Sequence, residues 1–180
     1  MNALKFVFSA AITTLLASCG EPPADLSKKE TYSSNGLTFQ YPGNWEVTED
    51  ETVLEFRYIF VETPGDALVI LQSYPKDLSE DLEAFAKDFS ATAAEETPMA
   101  DVITRSMEAK PEADGFQWMM EKVDITLLGE TIPHVRYYAT KPIGDRQIYL
   151  IQQVSTEDLN KVKQGFELVQ KTLKGTAEAP

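Results

Sequence analysis

The order in which apolar patterns follow one another is the strongest restriction on the fold of this 180-residue chain. Apolar residues alternate with polar ones at Leu37, Phe39 and Tyr41, which is the period of a half-buried strand. Residues 77–94 and 156–174 instead repeat their apolar positions with helical spacing. Strand patterns precede the first helix and fill the interval between the two, and turns rich in glycine and proline favour hairpin connections. This order predicts an α+β domain with helices packed on an antiparallel sheet.

Seven segments match a strand pattern, and each helix has a recognisable start. The strands are predicted at residues 36–41, 53–61, 67–74, 101–107, 116–128, 131–141 and 146–155, with a loop at 111–115. We expect the first helix to begin at a capping box of Asp77 and Glu80, and the second at one of Ser155 and Asp158. Gly165 lies within the second helix and weakens it by about 1 kcal/mol relative to alanine.

The beginning of the chain has the features of an export signal. Met1–Lys5 carries one positive charge, and Phe6–Leu16 is almost wholly apolar. That apolar run is much shorter than the roughly 20 residues that a helix needs to cross a bilayer. A short basic start followed by a short apolar run is typical of a signal peptide rather than a membrane span. Leu16-Ala17-Ser18-Cys19 then follows, with one aliphatic residue, two small residues and the chain's single cysteine.

These four residues resemble the lipobox of bacterial lipoproteins. The resemblance implies cleavage between Ser18 and Cys19, a diacylglycerol group on the Cys19 thioether, and usually a third acyl chain on the new amino terminus. In that family an aspartate after the cysteine often keeps the protein in the inner membrane, and Gly20 stands there instead. The resemblance therefore implies an outer-membrane lipoprotein that faces the periplasm, if the host is Gram-negative. The alternative, a signal cut elsewhere, would leave an exposed thiol open to oxidation.

The rest of the chain suits a single domain with a tether. We interpret residues 1–18 as the signal peptide, and residues 19–34, which include Pro22-Pro23, as the lipid-anchored cysteine and a flexible tether. Residues 20–34 could reach about 50 Å when fully extended. Residues 35–174 form the predicted domain, and residues 175–180 a disordered tail.

The segment Gly36–Trp45, with the sequence GLTFQYPGNW, resembles the opening of PsbP-like domains. In those domains a first strand runs into a Tyr-Pro turn that is followed by a tryptophan. The element order agrees over about residues 32–174, including a closing helix with Phe166 near its middle. The resemblance implies an α/β/α sandwich around a twisted antiparallel sheet of about six to seven strands with two main helices. It also implies a non-enzymatic accessory or binding role, and no set of functional residues carries over.

Composition excludes several classes of function. The net charge of −13 argues against binding to nucleic acid, whose phosphates favour basic surfaces, and against electrostatic attachment to anionic lipid. The chain has one histidine, no HExxH motif and no glycine-rich phosphate loop, so we predict no cofactor, no metal ligand set and no catalytic residues. Acidic residues on the first helix could bind a cation, but a solvated face explains them as well: Glu80, Asp81, Glu83 and Asp88, with Lys87.

One sheet face is the best candidate for binding. We expect a hairpin centred on Ile143-Gly144, in which His134 faces Gln153, Arg136 faces Ile151 and Tyr138 faces Tyr149. One face would then present six polar and aromatic side chains: His134, Arg136, Tyr138, Gln147, Tyr149 and Gln153. The functional hypothesis is a surface on which Arg136 pairs with an anion and the tyrosines stack. The alternative is a face covered by a helix or bathed in solvent.

Three functions remain open at this stage. The leading hypothesis is a non-catalytic lipoprotein, held to the membrane by acyl chains on Cys19, that binds an unknown envelope protein or a small ligand. The second is an envelope hydrolase that uses His134 or paired carboxylates, although nothing in the spacing brings Ser106 or Ser155 to that histidine. The third is a protein that binds divalent cations.

Overall fold

The computed structural model of the chain describes residues 21–97 and 99–176. Within them the strands are β1 (Lys29–Ser34), β2 (Leu37–Pro42), β3 (Glu46–Val53), β4 (Phe56–Glu62), β5 (Leu68–Pro75), β6 (Ala100–Ala113), β7 (Phe116–Leu127), β8 (Glu130–Ile143), β9 (Arg146–Ser155) and β10 (Lys174–Gly175). The helices are α1 (Leu82–Glu95), which follows a 3₁₀ turn at Lys76–Leu78, and α2 (Leu159–Thr172). No helix among these residues has the length and apolarity that a membrane span requires.

The strands form one large sheet and one small sheet, both antiparallel. The large sheet has seven strands in the order β3-β4-β5-β9-β8-β7-β6, and the small sheet has the order β1-β2-β10. One core lies between the large sheet, α2 and β2. A second core lies between the other sheet face and α1. The layers confirm the prediction of an α+β fold with an antiparallel sheet and two helices.

Strand β9 is buried on both faces because it lies near the middle of the large sheet. Ile148, Leu150 and Val154 belong to the core beneath α2. Tyr149 and Ile151 alternate with them and belong to the core beneath α1. The uninterrupted apolar run Ile148–Ile151 within β9 agrees with burial on both faces.

The strand predicted at residues 53–61 is wrong at its beginning. The chain turns at Leu54, whose φ is +58° and whose side chain is 90% exposed. Before this turn, β3 pairs with β4 and forms one edge of the large sheet. Most of β3 is exposed and half of its residues are acidic, so it lacks the apolar alternation from which a strand is recognised.

Both predicted capping boxes are wrong. The N-cap of α1 is Asp81, whose carboxylate accepts a hydrogen bond from the Ala84 N–H at 2.9 Å. Asp77 lies in the preceding 3₁₀ turn. Ser155 is the last residue of β9 and is buried, and the N-cap of α2 is Asp158, which makes no side-chain capping bond. The local pattern assigned Ser155 to the start of a helix, but in the structure it belongs to the central strand β9.

The predicted loop at residues 111–115 is confirmed only at Asp114-Gly115, which form the turn between β6 and β7, because β6 continues through Pro111 to Ala113. This strand is the other edge of the large sheet, and its pairing with β7 shifts register between Lys110 and Ala113. Edge strands and bulges are the places where a sheet accepts proline, which has no N–H to donate.

The tether predicted at residues 19–34 is much shorter than expected. Residues 29–34 form β1, which pairs with β2 along its whole length. Ahead of β1, the Ala24 N–H donates to the Lys161 carbonyl at 2.9 Å, and Asn44 Nδ2 donates to the Pro23 carbonyl at 3.0 Å. The domain thus begins well before residue 35, whereas Cys19 and Gly20 lie outside the described residues. At the other end, Gly175 belongs to β10, so the predicted tail is shorter as well.

Arg57 connects the small sheet to the large one. It is 6% exposed, and its Nε donates to Asp50 Oδ1 at 2.8 Å. Its Nη2 donates to the Tyr32 hydroxyl at 2.5 Å, and its Nη1 donates to the carbonyls of Ser34 and Asn35. The hydrogen bond from Arg57 is the main cause that lowers the pKa of the Asp50 carboxyl. One guanidinium therefore ties β1, the turn after it and β3 together.

Asp50→Asn is expected to lower the free energy of unfolding by about 2 kcal/mol at neutral pH, because Arg57 loses its charged acceptor. The pKa of Asp50 is lower in the folded chain than in the unfolded chain, so its contribution is complete above the unfolded value of about 4. That contribution disappears as the pH falls through the folded value. Urea unfolding at pH 7 and at pH 3 should therefore show a difference between wild type and variant that shrinks in acid. A pH-independent difference would contradict the ion pair.

Candidate functional site around His134

The six residues of the predicted binding face lie on one side of the sheet, but their register differs from the prediction. The hairpin turns at Gly144-Asp145, so His134 pairs with Ser155, Arg136 with Gln153 and Tyr138 with Ile151. The predicted register was wrong by two residues. Because side chains alternate with a period of two, an error of two residues leaves each side chain on its predicted face.

Helix α1 covers most of this face. Arg136, Tyr138 and Tyr149 are each at most 2% exposed, and His134 is 7% exposed. The Tyr149 ring stacks on Phe85 of α1 with 3.8 Å between ring centroids. Only Gln147 and Gln153 are partly exposed. The structure therefore has the covered face that the sequence left open as an alternative, and Arg136 and the two tyrosines are not available to a partner.

Beneath α1 lies a buried polar cluster whose centre the sequence did not reveal. Glu121 on β7 is fully buried, and Arg136 Nη1 donates to its Oε2 at 3.2 Å. The Tyr138 hydroxyl donates to the same oxygen at 2.7 Å. Ser90 and Thr104 donate to Oε1 at 2.6 and 2.5 Å. The carboxylate is surrounded by donors, so Arg136 pairs with an internal anion and not with the ligand that we had hypothesised.

His134 lies at one end of the same face and uses both ring nitrogens. Nδ1 is 2.9 Å from the carbonyl oxygen of Ile132, and a carbonyl can only accept, so Nδ1 carries a hydrogen. Nε2 is 3.2 Å from Asp66 Oδ2. Partial removal from solvent opposes ionisation of Asp66, but the hydrogen bond and charge of His134 and the nearby Ser155 together outweigh it, so the pKa of Asp66 is lowered. The histidine and the carboxylate form an ion pair when the ring is protonated.

Ser155, His134 and Asp66 lie together, which the sequence spacing did not predict. A catalytic triad needs the histidine between the serine and the acid. Here Ile132 and Asp66 take the two ring nitrogens. The Ser155 hydroxyl is close enough to help lower the pKa of Asp66 but lies outside hydrogen-bond geometry, and Ser155 is 2% exposed. The arrangement therefore neither activates Ser155 as a nucleophile nor opens it to a substrate.

Three carboxylates gather beside this histidine. One oxygen each from Glu21, Asp66 and Asp158 lies within 4.8 Å of the others, a spacing that suits ligands of one divalent cation. Partial burial and the charges of Asp66 and Asp158 raise the pKa of Glu21. Lys161 Nζ is 2.5 Å from Asp158 Oδ1, and His134 faces Asp66, so two of the three already have positive partners. The three carboxylates come from separate segments of the chain, so no local sequence motif predicted that they would lie together.

Two open depressions flank α1. The more polar one has a volume of about 410 Å³ and lies at the start of the helix, where Asp81, Glu112, Thr140 and Gln147 line it. The more apolar one, of about 350 Å³, runs between α1 and β6. Gln147 is thus the member of the predicted binding face that opens onto a space large enough for a small ligand.

Comparison with known proteins places the chain by its fold. No protein-family model matches it, and no curated protein matches it significantly in sequence. The solution structure of cyanobacterial PsbP (CyanoP) from Synechocystis sp. PCC 6803 matches with a TM-score of 0.55 and 15% identity, over 89% of this chain and 99% of that one. LpqN, involved in cell envelope biogenesis of Mycobacterium tuberculosis, matches with a TM-score of 0.45 and 11% identity, over 87% and 99%. The fold is PsbP-like, as the sequence indicated.

Proposed function

We propose that this protein is a membrane-anchored lipoprotein of the cell envelope that acts as a non-catalytic binding or accessory module. The observation that carries the proposal is the Leu16–Cys19 motif after a short apolar run. The domain that follows is PsbP-like. Its histidine is bonded to Ile132 and Asp66 rather than to a nucleophile, which favours binding over hydrolysis.

Its ligand or partner is an envelope protein or a small molecule that meets the open side of the domain. The polar depression at the start of α1 is the best place for a small ligand, because the half-buried amide of Gln147 lines it, with its Nε2 donating to the Thr140 hydroxyl at 2.6 Å. Glu112 and Asp81 make its rim acidic, so a neutral or cationic ligand suits it better than an anion.

Cys19→Ser tests the anchor. We expect the full-length chain, expressed in a Gram-negative host, to enter the outer-membrane fraction and to carry the mass of a diacylglycerol group and an amide-linked acyl chain on a polypeptide that begins at Cys19. The serine variant has no sulfur to receive lipid, so it should lose both the added mass and the membrane association. Mass spectrometry of the purified proteins and cell fractionation measure the two effects. An unmodified Cys19 thiol in the wild-type protein would overturn the proposal.

A further inference from the structure

The described chain begins at one well-defined end of the domain. The Glu21 carboxylate lies against Gly65, at which an added Cβ would be 1.7 Å from Glu21 Oε2. Ala24 and Pro23 are held by backbone and side-chain bonds to Lys161 and Asn44. Glu21 is therefore packed at the sheet end where β9 finishes and β5 begins.

The proposed site of lipid attachment, Cys19, is close to Glu21 in the sequence. Only Gly20 comes between Cys19 and Glu21, and two steps along the chain span at most about 7 Å. A lipid on Cys19 would then hold the domain at the bilayer surface. The stand-off of about 50 Å that a tether of residues 20–34 would have permitted does not arise, because most of that segment is packed on the domain.

The same end carries an exposed apolar tip. Leu128, in the turn between β7 and β8, is 94% exposed, and Met99 is 70% exposed. Ala100 pairs with Leu127, so the backbone at Met99 is adjacent to the backbone at Leu128. Leu128 lies six residues before His134 in the sequence. His134 is next to Asp66, and Asp66 is next to Glu21, so the tip is at the same end of the sheet as Glu21. A bilayer interface at this end of the domain would remove both side chains from water.

We propose that this tip, Met99 with Leu128, inserts into the headgroup region of the bilayer and forms a second contact beside the acyl chains on Cys19. The inference rests on the lipid anchor proposed above. With a net charge of −13, the chain is not drawn to anionic lipid, so the surface that it fits is a zwitterionic one. Two side chains bind a bilayer weakly by themselves, so the tip orients an anchored domain and does not recruit it.

The chain offers a matched control at the opposite end. Leu54 is 90% exposed with φ +58°, and Leu128 is 94% exposed with φ +53°. Both are leucines in tight turns between paired strands. Arg146 donates to the Glu55 carbonyl, which places Leu54 beside the start of β9, whereas Leu128 lies beyond its end. The two positions differ mainly in which end of the domain they mark.

The test labels one leucine position at a time in the full acylated protein. Leu128→Cys or Leu54→Cys provides a single free thiol, because Cys19 is the only native cysteine and its sulfur carries lipid in the proposed form. Each variant receives the same polarity-sensitive fluorophore and is reconstituted in phosphatidylcholine vesicles with a nitroxide lipid that quenches near the surface. We expect the Leu128 label to shift to the blue and to be quenched about threefold more than the Leu54 label, since inserted groups reach about 5–10 Å into the interface.

Each outcome bears on one claim. Equal quenching at the two positions, or stronger quenching at Leu54, in protein that floats with the vesicles would overturn the orientation and leave the lipid anchor standing. Protein that does not float with the vesicles and has an unmodified Cys19 would overturn the anchor itself. A third variant, Met99→Asp in the Leu128-labelled protein, should reduce the quenching if the two side chains insert together, and unchanged quenching would remove Met99 from the contact.

Discussion

Arg136→Met is expected to lower the free energy of unfolding by about 3–5 kcal/mol, which makes it one of the most damaging single changes in the domain. The substitution leaves Glu121, which is fully buried, without its positive partner. An uncompensated charge in a buried position costs far more than the pair contributes when intact. Urea or thermal unfolding followed by circular dichroism measures the loss.

A double variant and an exposed pair separate this effect from simple loss of a long side chain. Arg136→Met with Glu121→Leu removes both charges, so we expect it to recover much of the stability, although Ser90 and Thr104 lose their acceptor. Lys87→Met breaks the exposed pair with Glu83 and should change stability by less than about 1 kcal/mol. If Arg136→Met were as mild as Lys87→Met, the buried ion pair would be refuted.

The sequence predicted the side of the sheet on which these residues lie, but not what that side does. Alternation along β8 and β9 assigned Arg136, Tyr138 and Tyr149 to one face, and the assignment is confirmed despite the error in register. Polarity alone did not decide between an exposed and a covered face, because a polar side chain can be buried when another strand supplies its partner. Glu121 is that partner, and its only signal in the sequence was a charge between inward-facing Met119 and Val123.

The amino-terminal segment is a second place where polar composition hid packed structure. Its prolines and charged residues indicated a tether, yet Tyr32 in β1 stacks on Phe39 with 4.9 Å between ring centroids. A short strand at a sheet edge needs only one buried face, and β1 alternates between exposed and half-buried residues too weakly to be recognised. The carboxylates around His134 were equally hidden, since their proximity depends on three distant segments.

Packing between α2 and Trp45 explains a glycine that local propensity counts as a defect. A Cβ on Gly165 would lie 2.5 Å from two atoms of the Trp45 ring and 2.8 Å from Pro42 Cγ. Trp45 is buried and meets Phe166 edge-on at 5.8 Å between ring centroids. Glycine at this position costs the helix about 1 kcal/mol relative to alanine, but it allows α2 to lie in close contact with the indole.

Trp45→Ala is expected to cost about 3–5 kcal/mol, because it empties a large buried site. Gly165→Ala should destabilise the wild-type protein by about 1–3 kcal/mol through overpacking, in spite of the better helix propensity of alanine. In the Trp45→Ala background the ring is gone and only the contact with Pro42 Cγ remains, so Gly165→Ala should cost markedly less than in the wild-type protein. Four proteins in a denaturant series give this double-mutant cycle.

Gln164→Ala is the matched control, since Gln164 is exposed on the same turn of α2 and tests helix propensity without the indole. We expect it to change stability by less than about 0.5 kcal/mol. Gly165→Ala that raised the stability of the wild-type protein would show that the indole can move aside at little cost. A much smaller cost in the Trp45→Ala background would instead show that the indole sets the distance between α2 and the Tyr41-Pro42 turn, and so fixes the small sheet against the large one.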